Sequence, residues 1–530
     1  MIGVYSLECV SIIGRALVLM ILLIMKTDQN RLPAHWGNTQ WDTSYLSLPP
    51  SLYRIQVPTP VAHPKSVVFN AGLAQSLGLS LEAFQSETGA QVLAGNALIE
   101  GSEPLAQAYA GHQFGHFTQL GDGRAILLGE HLTPSGVRVD IQLKGSGRTP
   151  FSRNGDGRAA LGPMLREFVV SEALHALGIP TTRSLAVTVT GEPVFRDRVL
   201  PGAILCRIAA SHLRVGTFEY AATLRDRRTL QTLIHYALNR HYPQEFARLK
   251  PSVEEIGFEH ALVLSRAVVQ AQARLIAQWL SVGFIHGVMN TDNMTISGES
   301  IDFGPCAFMD EFNLQQVFSS IDRRGRYAYI EQPKIALWNL TRFVESLLEI
   351  FQDDSDLKLK EAEAILNSFH EIFNQNWIQL MGNKIGLSKP AQDDLELIQE
   401  LLGVMHSNRL DFHSTWLTLT DIVPKLMNNQ SLEGVLPQLQ EWMDRWKLRL
   451  EKEAQSPDEI HSRMRRTNPI AYPRNHQVEA ALAAAEGGDF DLFHRLVAAV
   501  QDPFTDQAEQ RRVAAPPETD QPSYQTFCGT

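Results

Sequence analysis

The sequence predicts an α+β fold, two lobes with an additional C-terminal helical region, and three features carry that prediction. Residues 103–208 read as glycine turns and strands crossed by a single helical pattern. Beyond Val317 the periodicity becomes that of long helices, with apolar residues three and four apart. Between the two lies a polar loop, His286-Gly287-Val288-Met289-Asn290-Thr291-Asp292-Asn293, followed by an apolar hairpin and Asp302-Phe303-Gly304.

Taken in order, the prolines from Pro49 to Pro64 predict an extended arm. Ser80–Phe84 and Gln91–Leu98 predict short helical pieces, the second weakened by Gly95. Glycines 111, 115, 121, 123 and 129 then punctuate residues 103–130. Strands are expected at Arg124–Gly129 and at Val137–Leu143, where Val137, Val139, Ile141 and Leu143 alternate. Gly162–Leu177 carries apolar residues at helical spacing, with Pro163 tolerable in the first turn and Gly178 as a stop. Ser184–Val189 and Ala203–Ile208 read as further strands. A helix from about Phe258 to Trp279 exits at Gly283. Later helices are expected at Lys334–Phe351, Leu359–Leu380, Gln392–Met405, Gln438–Glu451 and Gln477–Val500, before a polar, proline-bearing and mobile tail over Phe504–Gln521.

A chain of 530 residues, 44% hydrophobic, has enough apolar surface for more than one core. Its formal charge of -11 argues against nucleic acid as the main partner, because phosphate binding needs clustered Lys and Arg. Cys9, Cys206, Cys306 and Cys528 are too scattered for a disulfide scaffold, so a reducing, cytoplasmic setting fits. The apolar run Leu17–Met25, between Arg15 and Lys26, is shorter than the ~17–25 residues of a membrane span. It reads as a leader without function upstream of a start at Met25, as an export or membrane signal, or as a structured arm.

Gly121-Asp122-Gly123-Arg124 precedes an apolar strand, where its backbone donors can wrap phosphate oxygens; alone it is a hairpin turn. Lys144 closes the next strand, to meet a phosphate or to snorkel from the strand end. Glu167, in the following helix, can reach back to Lys144 or stand exposed. Asn293 and Asp302 supply two oxygen ligands in the order by which protein-kinase-like sites hold magnesium against a polyphosphate. The aspartate that receives a substrate proton in ordinary kinases belongs five places before that asparagine, where Val288 stands. A valine accepts no proton, which makes Asp292 the candidate base. Arg207 and Arg214, flanking Ser211 and His212, neutralise a triphosphate or form salt bridges between the lobes. His112 and His116 lack a third ligand nearby and read as structural rather than zinc-binding.

These motifs resemble the selenoprotein O family, also called YdiU-like proteins. The resemblance covers Gly111 to Phe303, including Gly111-His112-Gln113-Phe114-Gly115, Leu143-Lys144-Gly145-Ser146-Gly147 and Asp156-Gly157-Arg158-Ala159, and returns at Asn468-Pro469 and Pro473-Arg474-Asn475-His476. It implies a protein-kinase-like bilobal core that transfers AMP from ATP, bound in a flipped orientation, to protein Ser, Thr or Tyr hydroxyls, releasing pyrophosphate. UTP with manganese is an implied alternative donor. By the same resemblance Lys144, Asp156, Gly157, Arg207 and Arg214 engage the phosphates, and Gly121, Gly123 and Arg124 contact the nucleotide. Glu167 orients Lys144, Asn293 and Asp302 bind Mg2+ or Mn2+, with Asp302 also at the nucleotide, and Asp292 acts as base. A redox-active residue near the C terminus, as in the family, matches Cys528, and an oxidative link from Cys306 to Cys528 is expected, two unpaired thiols being the alternative.

The implied organisation is a leader and extended arm (1–62), a sheet-rich nucleotide-binding lobe (63–215), a helical lobe with the catalytic and metal-binding loops (216–465), and a C-terminal helix and mobile tail (466–530). A monomer acting on protein substrates, without nucleic acid or a stable membrane partner, is expected. The competing readings are an ATP-dependent phosphotransferase, favoured by Asp302-Phe303-Gly304 and opposed by Val288, and a noncatalytic kinase-like scaffold.

Overall fold

The computed structural model of the chain describes residues 31–348, 356–518 and 524–526. The apolar run Leu17–Met25, Cys9 and Cys528 lie outside them.

Strand-forming segments between Trp41 and Ala209 build one sheet of nine strands. Its main path runs 53–55, 105–107, 125–132, 138–144, 199–209, 183–195 and 65–69, each neighbouring pair antiparallel. Strands 41–42 and 159–160 add to 125–132 and 199–209. Alternation along 138–144 sends Val139, Ile141 and Leu143 to one face, where they join Ile204, Cys206 and Ile208 in a core closed by the short helices of residues 71–93. Asp140, Gln142 and Lys144 therefore take the other face, toward the helical lobe.

On that side lies Leu161–Ala176, nearly every residue of which is buried through Leu174. A helix buried all round must be sandwiched. Its Met164, Leu165 and Phe168 share a core with Leu127, Val187, Ala203 and Leu205 of the sheet, and Phe168 meets Phe493 of a C-terminal helix edge-on at 6.2 Å. Gly178, at φ 76°, ends the helix in the left-handed region as expected of a C-terminal glycine. The strand 199–209 then leads through Ser211–Arg214 into Val215–Thr223, and the long helix Phe258–Ser281 forms the axis of a lobe completed by Gln332–Leu348, Asp356–Lys384, Leu395–Ser407, Phe412–Met427, Gln440–Glu451 and Pro457–Thr467.

Four expectations need correction. Gln91–Leu98 is not one helical piece: the helix is Glu87–Leu93, and Leu98–Ile99 is a strand paired with Arg31–Leu32. The stretch from Pro49 to Pro64 is not merely an extended arm: Tyr53–Ile55 pairs with Leu105–Gln107 as a sheet strand, its prolines lying outside the paired residues. Gln477–Val500 is two helices, Asn475–Glu486 and Asp491–Gln501, because Gly487 and Gly488 interrupt the periodicity and Gly488 takes φ 94°. Within Phe504–Gln521, Ala508–Ala514 is helical with Val513 fully buried, an apolar anchor that the polar composition masked. Among the described residues no helix is long and apolar enough to cross a membrane.

Candidate active site

Lys144 ends its strand opposite Ala125 on one side and Leu205 on the other. Two positions back on the same face, Gln142 is opposite Arg207, so Lys144 and Arg207 leave the sheet in one direction. The carboxylate of Glu167 rises to meet them from the buried helix: Lys144 Nζ donates to Glu167 Oε1, and Arg207 donates to Glu167 Oε2 at 2.7 Å. Both cations also donate to Asp302 Oδ1, at 2.6 and 2.7 Å. Arg214 donates to Asp302 Oδ2 and to the Asp292 carbonyl, each at 2.8 Å, with its guanidinium 4.7 Å from the centroid of the Tyr109 ring. With Asp122 beside Arg214, three cations face three carboxylates in this cluster.

Burial opposes ionisation of Asp302 and Glu167, but Lys144 and Arg207 outweigh it and hold both carboxyls below their ordinary values. Burial likewise pulls Lys144 down, against the two carboxylates that favour its ammonium. Asp302 holds its carboxylate from φ 63°, a left-handed conformation that non-glycine residues keep only where the surroundings enforce it.

The loop before Asn293 is fixed from several sides. His286 is fully buried against Trp279, its Nε2 2.8 Å from the Ile301 carbonyl, which ties the loop to the Asp302 segment. Asn290 Oδ1 accepts from the Tyr327 hydroxyl at 2.6 Å and the Phe114 amide at 3.1 Å. Thr291 donates to Glu219 Oε2 at 2.5 Å and accepts from the His112 amide at 2.7 Å, while His112 Nδ1 meets Glu219 Oε1 at 2.5 Å.

Asp292, 7% exposed, keeps Oδ1 without a hydrogen-bond partner among the described residues. Burial lifts its carboxyl to about 7, with Arg214 opposing. A Cβ at Gly111 would stand 2.3 Å from that oxygen, so only glycine fits there. Asn293 Nδ2 donates to the Val288 carbonyl at 3.1 Å, which leaves its amide oxygen as the available acceptor.

Lys144, Glu167, Arg207, Arg214, Asp292, Asn293 and Asp302 line a cleft of roughly 1360 Å³ that also includes Tyr109, Asp122, Gly123, Arg124 and Val288. Asp122 lies 3.9 Å from Arg214, and burial raises its carboxyl to about 6. Gly121 stands behind the cleft at φ 137°, where the Phe151 ring leaves no room for a Cβ. Asp156 and Gly157 are outside the lining as well. Asp156 is held by Arg196 at 2.9 and 3.1 Å, which keeps its carboxyl low, and Gly157, at φ 71°, abuts Gly147. No group of three or more His, Cys, Asp or Glu side chains among the described residues could hold a metal. The Asn293 amide oxygen and Asp302 carboxylate are hard donors on one cleft, and a magnesium-sized ion that takes its other ligands from water and phosphate needs no more from the protein.

His112 is set between the Phe117 and Trp338 rings. Tyr109, Asp122 and Glu219 were not singled out from sequence. Asp122 was readable inside its glycine motif, but Glu219 sits on an unremarkable helix and carries no local signal. Cys306 is fully buried, its thiol pushed up to about 12 by burial, and the Thr526 hydroxyl donates to the neighbouring Pro305 carbonyl at 2.8 Å.

The chain is similar to known proteins over most of its length. A family described as protein adenylyltransferase SelO matches residues 37–501. A protein nucleotidyltransferase YdiU of Halalkalibacterium halodurans is 52% identical over 493 residues, covering 92% of this chain and 97% of the relative. The proteins of the same name from Geobacillus kaustophilus and Rhizobium meliloti are 52% and 50% identical over 499 and 496 residues, each covering 93% of this chain and 99% of the relative. With a match of this length and identity, the chain belongs to the family described as protein adenylyltransferase SelO.

Proposed function

We propose that this chain is a protein nucleotidyltransferase that moves AMP from ATP to Ser, Thr or Tyr hydroxyls of acceptor proteins and releases pyrophosphate. UTP serves as an alternative donor with manganese. The observation that carries the reading is one cleft lined by Lys144, Arg207 and Arg214 and by Asp292 with an unpartnered carboxylate oxygen, while Val288 stands where a hydroxyl phosphotransferase would keep its base.

In this reading Asp292 takes the proton of the acceptor hydroxyl, whose oxygen attacks the α phosphorus. The bond to the bridging oxygen breaks, and pyrophosphate leaves toward Lys144, Arg207 and Arg214, which offset its charge. Glu167 holds Lys144 in place, and Gly121, Gly123 and Arg124 support the nucleotide. Because Asp156 and Gly157 stand outside the lining, their phosphate contact requires the 147–158 loop to close over the nucleotide. Asn293 and Asp302 would hold a magnesium or manganese ion, which supplies charge neutralisation of the phosphate oxygens when bound. Residues 63–215 serve as the nucleotide lobe and 216–465 as the catalytic lobe in this scheme.

ATP labelled separately at the α and γ phosphates, incubated with the full chain, divalent metal and acceptor proteins, tests it. Label is expected only from the α position. Transfer from γ would establish phosphorylation, the reading that Asp302-Phe303-Gly304 favours, and transfer from neither would leave a scaffold. Asp292→Asn is expected to lower transfer by ~10²–10⁴-fold while ATP affinity stays within about threefold; a rate within twofold of the parent removes Asp292 from the role.

Oxidation is proposed to join Cys306 to Cys528. The Thr526–Pro305 hydrogen bond supports it, since it brings the chain two residues before Cys528 beside the residue before Cys306. Cys306 is buried, so the link requires the 303–308 segment to open. Nonreducing peptide mapping after mild oxidation should recover the linked pair, and two alkylatable thiols would refute it.

A further inference from the structure

On a chain with net charge -11, unpaired cations gather at the mouth of the cleft. The hairpin Ala110–Gln113 and His116–Gln119 contributes Gln113 and Phe114 to the cleft wall, the glycine turn contributes Arg124, and the segment after Asp302 contributes Ile321. These pieces touch. Arg326 lies against Gly115 at the hairpin tip, its guanidinium carbon 3.7 Å from where a Cβ would sit, and 4.9 Å from the Trp338 ring centroid. Arg153 donates to the Gln119 carbonyl at 3.0 Å, and Ser152 donates to the Gly123 carbonyl. Arg153 and Arg326 thus flank the hairpin beside Arg124 of the cleft lining, and Arg148, Arg323 and Arg324 stand on the same two loops.

None of the six is in an ion pair among the described residues; Arg148 and Arg153 meet only carbonyl oxygens. The acids in residues 110–124, 148–155 and 320–330 are Asp122 and Asp322, 2% and 5% exposed; the flanking Asp156 and Glu331 pair with Arg196 and Lys334, and the cleft wall also carries Asp197, with Glu479 and Glu486 paired to Arg166 and Arg198. Asp322 is occupied by the amides of Arg326 and Tyr327 at 2.9 and 2.7 Å, which folds the turn that presents Arg323 and Arg324 to solvent. Beside the cations stand two apolar side chains facing water, Phe117 at 46% and Ile321 at 57% exposure. The cleft they border, roughly 1360 Å³, exceeds the ~300–1,000 Å³ usual for a small-molecule site and has room for a polypeptide beside a nucleotide.

We propose that this rim docks the acceptor protein and selects hydroxyls flanked by Asp or Glu, with an apolar neighbour of the hydroxyl seated on Phe117 and Ile321. The proposal rests on the protein nucleotidyltransferase reading and names its substrate class. Unpaired arginines attract an acidic segment and repel a basic one, giving both faster encounter and selection. A single-stranded nucleic acid is the lesser fit, because it needs a run of stacking aromatics where this rim offers Phe117 and an aliphatic Ile321.

Fluorescence anisotropy with the full chain tests the rim apart from the chemistry. The probes are dye-labelled peptides with one Ser and one Leu in Asp/Glu, neutral or Lys/Arg flanks, together with an oligouridylate. The acidic peptide is expected to bind at least about tenfold tighter than the neutral one, less so at high salt, and to lose that advantage in Arg323→Glu/Arg324→Glu, whose ATP affinity stays within about twofold. Equal binding of acidic and neutral peptides, an undiminished preference in the double variant, or tighter binding of the oligouridylate overturns the proposal. Transfer from α-labelled ATP is measured in parallel. An acidic peptide that binds but takes no label counts against the transferase reading and leaves the docking surface standing; label taken equally with every flank removes the docking surface and leaves the transferase.

Discussion

Lys384 shows how much one buried group can govern stability away from the site. It is 2% exposed, with its ammonium 4.7 Å from the Trp416 ring centroid and no carboxylate partner among the described residues. Burial pulls it down to about 7, against ~10.4 in an unfolded chain. Between those values the unfolded chain binds more protons than the folded one, so stability should rise with pH from about 7 to about 10, and below 7 the folded state bears the whole cost of the buried charge. Lys384→Met, close in volume, is expected to stabilise the protein by about 1–3 kcal/mol at pH 6.5 and to flatten the rise toward pH 10. Denaturation midpoints at pH 6.5 and 9.5 check this; a variant less stable than the parent at pH 6.5 would mean that the cation–π contact outweighs the desolvation.

The hairpin of residues 110–119 braces the loop that carries Asp292, through His112 to Glu219 and Thr291 and through Phe114 to Asn290. The sequence showed the hairpin's glycines as punctuation, and the structure gives Gly111 a specific reason, since its missing Cβ is the space Asp292 occupies. Gly111→Ala must push Asp292 or the hairpin aside. A displacement of about 1 Å costs roughly a hundredfold in rate, so turnover should fall on that scale with nucleotide affinity nearly unchanged. Single-turnover α-label transfer beside an ATP titration separates the two quantities, and unaltered turnover would show that the loop absorbs the methyl group without moving its carboxylate. Most strands and helices were legible because each shows its own period. The split of 477–500 and the strand at 53–55 were not: the first depends on where a glycine pair relaxes, the second on a partner strand about fifty residues away.

Across the whole molecule, the C-terminal helices are fastened to the helical lobe by Arg474, 2% exposed. It donates to Asp310 at 2.8 Å, to both oxygens of Asp411 at 2.8 Å and to the Ala514 carbonyl at 3.0 Å, and the pairing holds the Asp411 carboxyl low despite its burial. Arg474→Met leaves two carboxylates short of a partner and should cost about 3–5 kcal/mol, read as a lower urea midpoint; a loss under 1 kcal/mol would mean that the C-terminal helices hold by apolar packing alone. The sequence by itself determined the fold class and the family, because glycine turns, strand alternation and the Asn293 to Asp302 spacing are properties of neighbours along the chain. Only the tertiary structure decided that Lys144, Arg207 and Arg214 close on Asp302, that Glu219 supports Thr291, and that Arg153 and Arg326 meet one hairpin. Those groups are distant in sequence, and a side chain's partners are set by which elements pack against its own.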